Sequence, residues 1–232
     1  MKAKNLCIIP ARGGSKRIPR KNIKDFKGIP IISYSIKAAL ASDLFDVVMV
    51  STDDLEIAAI AKSYGASVPF LRSDKNANDF ATTVDVLVEV VKAYENEGTS
   101  FDNVCCIYPT APFVTEARLV EGYEKLLVGA PSIFPVLSFD YPIWRSFKLN
   151  SDESLAYNWP EYINARSQDL PQAFHDAGQW YWVKTCRLME EKKLAFDTTK
   201  GIHLTPFEAH DIDTLNDWKL AELKYEYLQS LK

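Results

Sequence analysis

The chain has 232 residues, an apolar fraction of 47% and a formal net charge of −4 at pH 7. This length fits one sizeable domain, and the apolar fraction is enough to form a hydrophobic core. The negative balance gives no reason to expect nucleic-acid binding. No apolar run approaches eighteen residues, so the sequence predicts no membrane span.

The four cysteines show no metal-binding or redox spacing. Cys7, Cys105 and Cys106 lie in apolar, strand-like runs, and no C-x-x-C motif occurs. We interpret them as buried, reduced thiols. Residues 1–4 lead directly into the first predicted strand, which leaves no room for a signal peptide. We therefore expect a cytoplasmic protein.

Strand and helix patterns alternate from the N-terminus to residue 136. The predicted strands are 5–9, 46–51, 68–71, 104–108 and 132–136, and the predicted helices are 30–41, 53 or 54 to 64, 81–97 and 115–127. A strand at 179–184, a helix at 185–193, a short strand at 202–204 and a closing helix at 213–231 follow an irregular stretch. This alternation predicts a single α/β domain with a doubly wound, mostly parallel sheet.

The irregular stretch, residues 137–177, interrupts the alternation and is hereafter called the insertion. Four of the five tryptophans lie between Trp144 and Trp182. Aromatic enrichment in such a segment is typical of a partner surface or a sugar-sized pocket. A local mini-core beneath a long excursion is the alternative, and composition alone does not separate the two.

A segment rich in glycine and basic residues, here called the basic loop (residues 11–22), follows the first strand. Its cations are Arg12, Lys16, Arg17, Arg20 and Lys21. Gly13 and Gly14 allow backbone N–H groups to turn toward one point, where they bind anionic oxygens. The loop matches neither G-x-x-x-x-G-K-[ST] nor G-x-G-x-x-G. Its position at the carboxyl end of a strand favours polyphosphate binding over a solvated surface loop or a nucleic-acid contact.

Two carboxylates precede the closing helix. Asp211 and Asp213 would face the same side of an extended segment while Ile212 faces the core. Such a pair suits Mg²⁺, which takes one or two carboxylates together with phosphate oxygens and water. Alternatively, Asp213 caps the helix and Asp211 is an exposed turn residue. Together with the basic loop, the pair predicts a nucleotidyl-transfer site.

Several motifs carry a family resemblance across nearly the whole chain. They are IIPARGGSKRIPRKNI at 8–23, STDD at 51–54, LRS at 71–73, YPTAPF at 108–113, RSQDLPQAFHDAG at 166–178 and DIDT at 211–214. The chain resembles the CMP-sugar synthetases that activate sialic-acid-like and octulosonic sugars. That resemblance implies a nucleotide-diphospho-sugar transferase-like fold, CTP and a nine-carbon acidic sugar as substrates, Mg²⁺ as cofactor, pyrophosphate release, and a homodimer formed through the insertion.

The resemblance also implies roles for individual residues. The nucleotide would be held by Ala11, Arg12, Gly13, Gly14, Ser15, Lys16, Lys21, Asn22, Arg72 and Thr82 or Thr83. The sugar would meet Tyr108, Arg166, Gln168, His175 and Gln179, with Arg166 and Gln168 possibly acting across a dimer interface. Asp211 and Asp213 would ligate Mg²⁺, and with Arg12 and Lys21 they form the predicted catalytic set. The general base stays unassigned.

Departures from the sialate pattern point to one branch of the family. Tyr108 stands where sialate enzymes usually carry glutamine, Arg17 where they carry glycine, and His175 where they often carry arginine. The segment HDAGQ at 175–179, with the basic loop, most resembles the branch that activates pseudaminic acid. The same reaction on N-acetylneuraminic or legionaminic acid is the alternative within the family, and a non-catalytic nucleotide-binding module is the alternative of another class.

Overall fold

The computed structural model describes residues 3–231. The strands are β1 Asn5–Pro10, β2 Asp25–Phe26, β3 Ile29–Pro30, β4 Val47–Ser51, β5 Asn103–Ile107, β6 Ser132–Ser138, β7 Phe147–Leu149, β8 Leu155–Tyr157, β9 Phe174–Asp176, β10 Trp180–Lys184 and β11 Lys200–His203. The α-helices are α1 Ile32–Ala41, α2 Leu55–Ser63, α3 Asp74–Ala77, α4 Thr83–Asn96, α5 Glu116–Leu127, α6 Thr185–Glu191 and α7 Leu215–Ser230. Short 3-10 helices lie at Lys21–Ile23, Ile143–Arg145, Pro160–Tyr162 and Ser167–Asp169.

Seven strands form the central sheet, in the order β11-β6-β10-β5-β1-β4, with β9 paired to β6. β1 is parallel to both β4 and β5, and β11 is parallel to β6. β10 runs antiparallel between β5 and β6, and β9 is antiparallel to β6. Five strands therefore share one direction and two oppose it. The predicted α/β fold with a mostly parallel sheet is confirmed.

Helices cover both faces of the sheet. Successive side chains of β1 alternate between two cores, because neighbouring residues of a strand point to opposite faces. Cys7 and Ile9 pack with α1, α2 and α5, whereas Leu6 and Ile8 pack with α4 and α6. The doubly wound arrangement follows from this alternation. Within residues 3–231, no helix is both long and apolar enough to cross a membrane.

The predicted strand at 68–71 is wrong. Its residues form no strand, and the nearest ladder contact is an isolated bridge between Met49 and the preceding residue, Ser67. Pro69 has no N–H to donate to a strand ladder. The chain instead leaves the sheet edge and returns at Arg72, whose N–H donates to the carbonyl of Thr52 at 2.8 Å. This return places the Arg72 side chain beside the end of β4.

The insertion carries its own small aromatic cluster. The rings of Trp144 and Trp159 lie 5.4 Å apart, and the indole N–H of Trp144 donates to the carbonyl of Pro171 at 2.8 Å. Trp180 and Trp182, by contrast, are fully buried in the main sheet. The tryptophan-rich stretch thus belongs to two structures, a local cluster in the insertion and the central core. β9 joins the insertion back to β6.

Candidate active site

A cavity of about 450 Å³ opens beyond the carboxyl ends of β1 and β5, beside the segment that precedes α7. Ligands of open α/β sheets bind at this edge. It is lined by Pro10, Arg12, Ser15, Lys16, Arg17, Ile18, Lys21, Asn22, Tyr108, Pro109, Thr110, Asp211 and Asp213. A second cavity of about 540 Å³ lies away from the basic loop, beside the aromatic side chains of Tyr34, Phe113 and Tyr225. The smaller cavity is the candidate site, because the basic loop and the two carboxylates meet there.

Arg12 and Lys16 share one carboxylate, that of Asp79. Arg12 Nη1 lies 2.5 Å from Asp79 Oδ1, and Lys16 Nζ contacts the other oxygen. Hydrogen bonds from Lys16 and then Arg12 hold the pKa of Asp79 below its ordinary value. Asp79 follows α3 in a polar loop, and the sequence analysis did not single it out. Its carboxylate is thus paired with the same two cations that are predicted to bind a phosphate.

The segment that carries the two carboxylates, Asp211–Asp213 (the acidic segment), contacts the basic loop from the opposite side of the cavity. Arg17 Nη2 lies 2.7 Å from Asp213 Oδ1, and Lys21 Nζ is 3.6 Å from the same oxygen. Lys21 also donates to the carbonyl of Ile212 at 2.6 Å. Ile212 itself is buried, as the alternation of the acidic segment predicted. The N-cap of α7 is Thr214, so the alternative in which Asp213 caps this helix is wrong.

Arg20, although part of the same basic run, points away to α2. Its guanidinium contacts Asp54 and lies 2.5 Å from Glu56. Asp54 is the N-cap of α2 and accepts the N–H groups of Glu56 and Ile57 at 2.9 and 3.0 Å. The hydrogen bond from Arg20, with these backbone bonds, lowers the pKa of Asp54 to about 2. Arg20 therefore anchors the basic loop to the fold.

Gly13 packs so closely against Asp54 that there is no room for a side chain. A Cβ at Gly13 would lie 2.8 Å from Asp54 Oδ2, whereas a Cβ at Gly14 would meet nothing within 4 Å. The N–H of Gly13 donates to Asp53 Oδ1 at 2.9 Å, and those of Ala11 and Ser15 also donate within the protein. These three N–H groups are thus already bonded, unlike the converging set that the glycines suggested. The buried amide of Asn22 donates to the carbonyl of Arg12 at 2.9 Å and stabilises the turn.

Arg72 and the start of α4, which the resemblance assigned to the nucleotide, lie next to the cavity. Arg72 is buried, and its guanidinium donates to Ser51 Oγ at 3.1 Å and to the Ser51 carbonyl at 2.5 Å. Burial lowers its pKa from the ordinary arginine value. Thr82 caps α4, and Thr83 Oγ1 lies 3.2 Å from the hydroxyl of Tyr108. These residues border the cavity without lining it.

Comparison with known proteins shows which family the chain belongs to. Residues 6–132 match the sequence model of the family described as cytidylyltransferase. The chain belongs to the cytidylyltransferase family. It is 41% identical over 225 residues, 96% of this chain and 97% of the relative, to a curated pseudaminic acid cytidylyltransferase from Campylobacter jejuni subsp. jejuni serotype O:2. It is also 31% identical to the CMP-N,N'-diacetyllegionaminic acid synthase of Legionella pneumophila, over 97% of each chain.

Solved structures agree on the fold. The CMP:2-keto-3-deoxy-manno-octonic acid synthetase solved in complex with CTP has a TM-score of 0.69 at 18% identity and covers 98% of this chain. The 4-diphosphocytidyl-2C-methyl-D-erythritol synthase of Anaerococcus prevotii has a TM-score of 0.66 at 15% identity, also over 98% of this chain. These likenesses show an α/β nucleotidyltransferase fold. The family match and the curated relative show that the chain is a CTP-dependent enzyme.

The predicted sugar residues of the cytidylyltransferase are spread over several places. Tyr108 lines the cavity. His175 is exposed on β9 and packs against Phe139 at 5.0 Å, and Arg166 is exposed beside Gln168 and pairs with Asp169 at 2.7 Å. Gln179 is buried and donates to the carbonyl of Glu208 at 2.6 Å. Of these five residues, Tyr108 alone reaches the cavity formed by the described part of the chain.

Two further residues of the cytidylyltransferase adjoin Tyr108, and the sequence analysis did not single them out. Asp176 accepts the hydroxyl of Tyr181 at 2.7 Å, and the Tyr181 ring lies 5.4 Å from that of Tyr108. Tyr181 falls in the strand pattern at 179–184, where it reads as one more buried apolar side chain. No local signal in the sequence joins it to Asp176 across the turn between β9 and β10.

Proposed function

We propose that the chain transfers CMP from CTP to the anomeric hydroxyl of pseudaminic acid and releases pyrophosphate. The observation that carries the reaction is the single cavity in which Arg12, Lys16 and Lys21 face Asp211 and Asp213. The choice of sugar is supported by the 41% identical relative from Campylobacter jejuni, which is curated as a pseudaminic acid cytidylyltransferase. In this reaction the sugar oxygen bonds to the α-phosphorus, the α–β phosphoanhydride breaks, and the hydroxyl proton is lost.

Arg12, Lys16 and Lys21 bind the triphosphate in this proposal. Each is now ion-paired with a carboxylate, Asp79 or Asp213, and phosphate oxygens of CTP take the place of those carboxylates. Cations held in position around a leaving pyrophosphate lower the barrier because they stabilise the charge that develops there. Asn22 keeps the loop in its turn through the carbonyl of Arg12.

Mg²⁺ is proposed as the cofactor, with Asp211 and Asp213 as its ligands. Both carboxylates line the cavity beside the cationic loop. Within residues 3–231 no group of three or more His, Cys, Asp or Glu side chains converges, so the remaining ligands would come from phosphate and water. That division suits Mg²⁺, which when bound neutralises phosphate charge and orients the α-phosphorus. Arg17 and Lys21 then give up their contacts with Asp213.

Pyrophosphate release tests the proposal. CTP and Mg²⁺ are supplied with pseudaminic, legionaminic or N-acetylneuraminic acid separately, and we expect the fastest release with pseudaminic acid. Preference for a sialic-type sugar would keep the reaction and replace the substrate. If the chain binds CTP but releases no pyrophosphate with any of the three sugars, the non-catalytic nucleotide-binding module is favoured instead. The sugar would lie beside Tyr108, with His175, Arg166 and Gln168 approaching from the insertion.

A homodimer formed through the insertion completes the proposal. Large apolar side chains are exposed there, including Tyr141 at 85% and Leu149 at 70%. Apolar surface of this kind is typical of protein–protein interfaces. Light scattering after size exclusion should give twice the chain mass, and Leu149→Glu should shift the chain to monomer.

The buried, unpaired thiols of Cys7, Cys105 and Cys106 support a reducing, cytoplasmic location.

A further inference from the structure

Three side chains connect the insertion to the wall of the active-site cavity. Asp176 ends β9, Tyr181 lies in β10, and Tyr108 directly follows β5. Asp176 Oδ2 accepts the Tyr181 hydroxyl at 2.7 Å, and the rings of Tyr181 and Tyr108 are 5.4 Å apart. Of the three, Tyr108 lines the cavity. The insertion thus reaches the site through a continuous set of contacts.

The carboxylate of Asp176 is held in one orientation. Its Oδ1 accepts the N–H of Gly178 at 2.8 Å, which leaves Oδ2 for the Tyr181 hydroxyl. Gly178 has a φ of 64°, a left-handed conformation that glycine adopts without strain. The turn between β9 and β10 therefore fixes the carboxylate relative to the first residues of β10.

Tyr181 has little freedom to move. Its side chain is buried between the rings of Tyr108 and Phe134, which lie 5.4 and 5.5 Å away. Burial and then the charges of Tyr108 and Asp176 raise its pKa far above the ordinary tyrosine value, so the phenol keeps its proton. A buried phenol O–H needs a partner, and Asp176 supplies it.

Tyr108 is held by two backbone hydrogen bonds and two side-chain contacts. Its N–H donates to the Gln179 carbonyl at 2.8 Å, and its carbonyl accepts Ser35 Oγ at 2.7 Å. Its hydroxyl lies 3.2 Å from Thr83 Oγ1, and its ring rests on Tyr181. A side chain fixed in this way meets a substrate without paying rotamer entropy on binding.

We propose that Asp176 is a positioning residue for sugar selection, which acts through Tyr181 to fix the ring and hydroxyl of Tyr108 at the cavity wall. This inference rests on the proposed function. Asp176 does not itself line the cavity, so its effect on the site passes through Tyr108, the residue assigned to the sugar. The alternative is a turn-forming aspartate with a purely structural role.

Three variants separate the two roles. Asp176→Ala removes both acceptor oxygens, and Tyr181→Phe removes the donor while keeping the ring. Asp176→Asn keeps one acceptor oxygen for the Gly178 N–H and places an NH2 group toward the Tyr181 oxygen, which can accept from it. We expect Asp176→Ala and Tyr181→Phe to raise the KM for pseudaminic acid about 5- to 20-fold, with the KM for CTP within about twofold. Asp176→Asn should recover part of the loss, because its amide can still bond both Gly178 and Tyr181, with the second hydrogen bond reversed in direction. The double variant should be no worse than either single one, because both changes break one interaction.

Asp152→Ala is the matched control, since Asp152 also accepts a backbone N–H two residues on, from Ser154 at 3.1 Å, in an exposed turn of the insertion. It should behave as the unmodified chain. A fall in thermal midpoint with an unchanged sugar KM, or equal rises in both KM values, would overturn the inference. Should Asp176→Ala fail to fold, Tyr181→Phe decides. Absence of turnover by the unmodified chain with all three sugars contradicts the proposed function, a separate outcome.

Discussion

Gly13→Ala tests how the basic loop is attached to the fold. The new Cβ would lie 2.8 Å from Asp54 Oδ2 and 3.1 Å from Asp54 Cβ. Asp54 cannot easily turn away, because it caps α2 through two backbone N–H groups and also contacts Arg20. Either the cap breaks or the loop shifts. Breaking an N-cap costs about 1 kcal/mol, and overpacking costs about 1–3 kcal/mol.

The expected effect is therefore a measurable loss of both stability and turnover. A destabilisation of about 1–3 kcal/mol lowers the thermal midpoint by about 2–4 °C per kcal/mol in a chain of this size. Displacement of Arg12 and Lys16 should raise the KM for CTP about tenfold, which corresponds to about 1.4 kcal/mol. Thermal unfolding and pyrophosphate release at varied CTP measure the two effects.

Gly14→Ala is the control, since a Cβ at Gly14 meets no atom within 4 Å. Neither glycine has a positive φ, so backbone strain does not distinguish them. Gly14→Ala should keep the midpoint and the KM for CTP close to those of the unmodified chain. Equal behaviour of the two variants would show that the contact with Asp54 does not hold the loop.

Three further changes probe the same charges. Asp211→Asn should lower pyrophosphate release at least about 100-fold, with the circular dichroism spectrum unchanged; near-normal release would remove Asp211 from the metal site. Asp79→Asn should tighten metal-free CTP binding about two- to fivefold by calorimetry, whereas weaker binding would make Asp79 a partner that positions the cations. Because the folded pKa of Asp54 is lowered to about 2, its stabilisation is present above about pH 4 and is lost as the pH falls toward 2. Asp54→Asn should flatten the dependence of the free energy of unfolding on pH between about pH 4 and 2, measured by urea unfolding. An unchanged dependence would show that the Asp54 carboxylate does not provide this stabilisation.

Local signals predicted most of the fold. The β-branched run of β4, the cap at Asp54 and the apolar spacing of α4 each lie within a few residues, so propensity and periodicity find them. The strand prediction for residues 68–71 was wrong for a physical reason. A four-residue apolar run is compatible with either a strand or a packed turn, and Pro69 decided against a ladder. The antiparallel direction of β10 also has no local signature.

The site could be predicted only in outline. The sequence indicates a basic loop at the end of β1 and an acidic pair before α7, and the structure brings them into one cavity. Which groups pair depends on contacts between distant residues, such as Lys21 with Ile212 and Arg12 with Asp79. Spacing along the chain carries no information on those pairs. Asp79 was missed because an isolated aspartate in a polar loop has no distinguishing pattern. Asp176 lies in the HDAGQ segment, but its role depends on contact with Tyr181, which the sequence does not show.

Charge density in the basic loop indicates an anion site but not the role of each cation. Arg12 and Arg20 are the same residue type, eight positions apart in one loop. Arg12 lines the cavity with an exposed partner, Asp79, whereas Arg20 joins a helix cap outside it. A phosphate can compete for the first contact, because the ions are partly solvated and only weakly held. The second contact is made to a carboxylate that also caps α2 and is less exposed than Asp79, so a phosphate competes less well for it. Replacing Arg20 should therefore reduce stability first and CTP binding second, the reverse of the order expected for Arg12.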